Sequence, residues 1–114
     1  MARARIPDPL ERRHLIERDL PPAHSQRIAD EYLEQGRDLE AAEFLQKAGA
    51  EERLAEMRER AVQSGDAFLL RGIARITGVA PGRDEWAALA EAAAAAGKDR
   101  YAEDARRQAE RGEG

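Results

Sequence analysis

Five glycines, Gly36, Gly49, Gly65, Gly78 and Gly97, recur every 13 to 19 residues along the chain. Between them the apolar residues return at three- and four-residue steps, the period of a helix with one buried face. A helix of that length commonly ends on a residue in the left-handed conformation, which glycine adopts without a Cβ penalty. Asp38, Asp66 and Asp99 follow closely on three of these glycines, where a carboxylate can accept hydrogen bonds from the first amides of a new helix. The expected grammar is therefore helix, glycine, tight turn, helix. No stretch alternates apolar and polar residues with β-branched enrichment, so no sheet is expected.

This punctuation predicts an all-α chain of six or seven helices, read as about 8–19, 22–35, 39–48, 50–64, 67–77, 84–96 and 98–110. Pro21 and Pro22 separate the first two, and Pro81-Gly82 breaks the longest turn. The fifth helix is the most apolar and is expected to be the most buried. Phe68, Leu69 or Leu70, and Ile73 are expected in the core, with Leu45 and Trp86 beside them. In domain terms, residues 1–21 form an arm and a leading, capping helix. Residues 22–110 form one helical domain, and residues 111–114 a frayed end.

At 114 residues there is room for one modest core. The chain has no cysteine, which excludes disulfides, thiolate zinc sites and cysteine nucleophiles. The longest purely apolar run is Ala92–Ala96, far short of a membrane span, and no secretory signal is apparent. A cytoplasmic location is the default expectation. Alanine is abundant and arginine far outnumbers lysine, 17 to 2, as in high-GC bacterial coding. The net charge of −4 argues against a protein built around nucleic acid. Residues 1–27 alone carry a net +2, but without the charge density and interleaved aromatics of a nucleic-acid surface.

The sequence also repeats itself. Residues 29–48 and 86–109, aligned on Gly36 and Gly97, bring Ala29 onto Ala90, Ala41 onto Ala102 and Ala48 onto Ala109. Trp86 and Leu89 open the second unit, and Tyr32 stands just before the turn of the first. This arrangement resembles the tetratricopeptide repeat, and more loosely the helical-hairpin solenoids of clathrin and coatomer type. A middle unit over residues 51–77 aligns on Gly65 with few further matches, and Arg106 stands where the family has an aromatic. The resemblance implies a short right-handed stack of antiparallel helical hairpins. It specifies an architecture and no activity.

Chemistry was sought in the polar residues. His14 and His24 are ten apart across two prolines, not the i, i+4 spacing of a helical metal pair. Ser25 beside His24 reads as a first-turn hydroxyl, because adjacent residues on a helix do not face each other. The carboxylates lie among arginines as solvated faces. No catalytic residue, metal or cofactor is expected, and the chain reads as a non-catalytic protein-interaction adaptor. In the resembled family the first helix of each hairpin lines a concave wall. That correspondence implies a partner-binding face of Asp30, Leu33, Glu34, Glu52, Glu59, Val62, Asp84 and Glu91, acidic with apolar patches. A basic or amphipathic protein segment is the expected ligand. The rival readings are a structural module that pairs with a second copy as a homodimer, or the regulatory subunit of an enzyme.

Overall fold

The computed structural model describes residues 6–17 and 20–111. Among these residues there are seven α-helices and no strand: α1 (Pro9–Glu17), α2 (Pro22–Glu34), α3 (Asp38–Lys47), α4 (Glu51–Gln63), α5 (Ala67–Thr77), α6 (Arg83–Ala95) and α7 (Asp99–Glu110). The predicted all-α class and the helix order hold. The extension of the first helix to Asp19 and the frayed ends at 1–5 and 112–114 lie outside the described residues. The chain divides into two compact units, Met1–Leu54 and Ala55–Gly114, the division falling within α4.

The turns explain why so many short helices follow one another. All five punctuating glycines have positive φ, between 68° and 77°. At Gly36 the glycine amide donates to the Leu33 carbonyl and the next amide, of Arg37, reaches back to Tyr32. The same pair of bonds recurs at Gly49, Gly65 and Gly97. Two carbonyls left over at each helix end are thereby satisfied. The residue after the glycine then opens the next helix at all four of these turns: Arg37 before α3, Ala50 before α4, Asp66 before α5 and Lys98 before α7. Of the three expected aspartate caps only Asp66 falls at this position, where its Oδ1 accepts from the Leu69 amide at 3.0 Å. Asp38 and Asp99 stand one residue further on, inside the first turn, where a negative charge still favours the positive end of the helix dipole.

In the first unit α2 packs on α3. Ile28, Ala29 and Tyr32 meet a buried set of Ala41, Ala42, Phe44 and Leu45. The Tyr32 and Phe44 rings stack with centroids 5.7 Å apart and planes 19° apart. The Arg37 guanidinium lies 4.9 Å from the Tyr32 centroid and pairs with Glu40 at 2.8 Å. Burial pushes the Tyr32 phenol above its ordinary range, against the opposing pull of Arg37 and Arg12. The leading helix α1 meets α3 through polar ties: Arg12 pairs with Glu43 at 2.6 Å, and Lys47 Nζ donates to the Ile16 carbonyl at 2.9 Å. No residue of α1 is buried, and Leu10 is 65% exposed.

In the second unit α6 packs on α7, and the buried set comprises Met57, Ala61, Ala67, Leu70, Ile73, Trp86, Leu89, Ala90, Ala93, Ala102 and Ala105. Leu70, Ile73 and Trp86 are core residues as expected, as is Leu45 in the first unit. Phe68 is not: it is 65% exposed. Two residues along a helix is a turn of about 200°, so a helix that buries Leu70 directs Phe68 to nearly the opposite side. Tyr101, on α7, is 37% exposed.

Burial follows the internal repeat. Ala29 and Ala90 are both buried, as are Ala41 and Ala102, while Ala48 and Ala109 are both half-buried. Leu45 is buried where its counterpart Arg106 is exposed.

Candidate functional site

The eight residues expected to form a partner-binding face fall four to each unit. In the first unit Asp30, Glu34 and Glu52 are exposed and Leu33 is half-buried. Asp30 is not a lone charge. Arg53, from the start of α4, pairs with its Oδ1 and also donates to Gln26 Oε1 at 3.3 Å. This arginine ties α4 to α2 and neutralises one of the expected acids.

In the second unit Glu59, Asp84 and Glu91 are exposed and Val62 is half-buried. Glu59 accepts from the Gln63 amide one turn on, at 3.2 Å. On α6 the positions Asp84, Ala87, Glu91 and Ala94 are all exposed, while Trp86, Leu89, Ala90 and Ala93 of the same helix are buried. The steps of three and four place the exposed set on one stripe, facing away from the core.

The end of α6 that carries Asp84 is fixed by Arg58. Its Nε and Nη2 fork onto the Glu85 carboxylate at 2.6 and 3.0 Å, and its remaining donors reach the Val79 and Ala80 carbonyls. Glu85 also accepts from the Gly82 amide at 2.9 Å, one half of a capping box at the start of α6. The α5–α6 turn is thus held by one arginine and one glutamate. The hydrogen bond from Arg58 lowers the Glu85 pKa below its ordinary 4.5, against the opposing effect of burial and with help from the Gly82 amide.

A depressed carboxylate contributes stability that is fully present above its unfolded pKa and lost as pH falls through the folded value. Glu85→Gln should therefore cost about 1–2 kcal/mol at neutral pH, the range for a partly exposed charge-assisted bond. That gap should narrow once the solution is well below pH 4.5. Urea midpoints of the parent and the variant at neutral and at strongly acid pH check this. An equal gap at both would show that the pair does not titrate with folding.

The α5–α6 turn borders a concavity of about 410 Å³ within the second unit. Arg71 and Arg75 of α5, Pro81 of the turn, Trp86 of α6 and Gln108 of α7 line it. Arg71 is fixed twice, by Asp104 Oδ2 at 2.6 Å and by the Trp86 ring, whose centroid is 5.1 Å from the guanidinium carbon. Arg71, Arg75 and Gln108 were not legible as a group from the sequence. The available signal was a pair of arginines one turn apart in a helix with no other charge.

His14 and His24 join no metal site: among the described residues no cluster of three histidine or carboxylate ligands occurs. Ser25 is fully buried, and its Oγ, like the Tyr32 hydroxyl, has no hydrogen-bond partner among the described residues. Among the described residues no helix is long and apolar enough to cross a membrane. No family model, no curated protein and no solved structure matches the chain.

Proposed function

We propose that the protein is a non-catalytic interaction module of the cytoplasm, built from helical hairpins of the tetratricopeptide type. It binds a basic or amphipathic segment of a partner protein on exposed acidic residues, foremost Glu59 and the acidic stripe of α6. The observation that carries this reading is the α6 stripe of Asp84, Ala87, Glu91 and Ala94. It alternates carboxylates with small apolar residues, is wholly exposed, and lies on a helix whose opposite stripe is buried. The matched burial of the repeated alanines supports equivalent hairpins at the two ends of the chain. Small apolar residues between carboxylates leave room for a ligand's aliphatic side chains, while the carboxylates attract its cations and speed its arrival at low salt.

A library of basic amphipathic peptides compared with an acidic one, at low and high ionic strength, tests the reading. Binding should favour the basic library and weaken with salt. The double variant Glu59→Lys, Glu91→Lys should lose that binding by about tenfold or more. Equal binding of both libraries, or an unchanged double variant, would remove these acidic residues as the site.

Self-association is the second reading. It rests on the exposed apolar side chains of Phe68 and Leu10, both 65%, and of Val79, 59%, as surface for a second copy to cover. Sedimentation at several protein concentrations separates the two.

A further inference from the structure

The concavity beside the α5–α6 turn belongs to neither reading above, and its chemistry is the opposite of those acidic residues. Its lining contains two arginines and no carboxylate, in a chain whose net charge is −4. Arg71 is neutralised by Asp104, and its guanidinium lies over the Trp86 ring. Arg75, one turn further along α5, makes no ion pair among the described residues. Gln108 brings a side-chain amide from α7 to the same hollow, and Ala74 and Pro81 supply apolar wall. The rim does not need to be ordered by a ligand, because Arg58 already holds the Val79 and Ala80 carbonyls and the Glu85 carboxylate.

We propose that this concavity binds a carboxylate carried on an apolar body, with Arg75 as the charge partner and Gln108 as a second donor. The apolar body rests against Ala74, Pro81 and the Arg71–Trp86 stack. A planar guanidinium with two parallel N–H groups matches a carboxylate in a bidentate fork. One uncompensated arginine balances one negative charge. That favours a carboxylate over a phosphate monoester, which carries nearly two. The volume is at the small end of ligand sites and takes a compact organic acid or the last one or two residues of a peptide chain.

The carboxylate has two sources, a free organic acid and a peptide C-terminus, and the experiment separates them. Trp86 is the single tryptophan of the chain, so its emission reports this site alone. The full-length protein is titrated with phenylacetate and with acetyl-Ala-Leu-Leu as the free acid, each against its own primary amide.

A saturable change in Trp86 emission is expected for the acids, with Kd on the order of 1 mM and weaker binding at higher salt. The amides should bind about tenfold less tightly or worse. A tighter peptide acid identifies a chain terminus as the ligand; an equal or tighter phenylacetate identifies a free acid. Arg75→Gln, at an exposed position, should weaken the acids by about tenfold. The proposal is overturned if neither acid saturates, if the amides match the acids, or if Arg75→Gln binds as the parent does. The acid–amide comparison needs no variant, so it stands even if a substitution disturbs folding.

Discussion

Gly65→Ala should destabilise the protein by about 2–5 kcal/mol, while the same change at Gly36 should cost about 1 kcal/mol. Both glycines have positive φ, 68° and 71°, so both variants carry the strain of an L-residue in the left-handed region. Only Gly65 carries a second penalty. A Cβ placed there would lie 2.6 Å from both the backbone nitrogen and the Cα of Ala93, and 2.9 Å from its Cβ. Those atoms belong to the backbone and first side-chain carbon of α6, so no rotamer change can relieve the overlap. A Cβ at Gly36 meets nothing within 4 Å. Denaturant titrations of the two variants measure the difference directly. Equal midpoints would mean that α6 yields to the turn, contrary to the close approach seen here.

Ile73→Ala should cost about 2–5 kcal/mol, the range for emptying a buried aliphatic position. Ile73 is fully buried in α5. Phe68→Ala, on the same helix, removes a larger side chain from a position that is 65% exposed. Its expected cost is about 0.5 kcal/mol or less. The pair is informative because residue size and residue burial make opposite forecasts. If Phe68→Ala proves the more damaging, the buried face of α5 has been assigned to the wrong side.

That contrast also bears on how far the sequence was legible. Helix positions could be read because each ending has a local cause: a left-handed glycine and two backbone bonds that depend on a few neighbouring residues. The face that α5 buries is set by phase: Leu69, Leu70, Ile73, Ala74 and Ile76 share one side, Arg71 and Arg75 mark the other, and Phe68 falls beside Arg75. The size of Phe68 argues for burial and its phase for exposure, and the phase wins.

The repeated alanines were legible because small residues at matching distances from a turn mark where two helices must approach closely. The candidate site was read only in part. The exposed acids of α6 came from the correspondence with the resembled family, and they lie off the buried Trp86–Leu89–Ala93 side of the helix. The pairing of Asp30 with Arg53 and the gathering of Arg71, Arg75 and Gln108 depend on residues far apart in the chain, and no local pattern encodes them.

The turns at Gly36, Gly49, Gly65 and Gly97 have one more consequence, for how the length of this chain can change. Because the residue that finishes one helix's bonding also starts the next helix, no spare residue lies between them. One amino acid inserted within either flanking helix would rotate everything beyond it by about 100°, carrying its buried stripe toward water. Insertions and deletions should therefore be rejected at these four joints. They should be borne where slack exists, in residues 78–82, whose exposed Val79 and Ala80 are tied to the fold through their carbonyls and not through their side chains. The seven helices of the described residues thus leave little freedom of length, and residues 78–82 hold a large share of it.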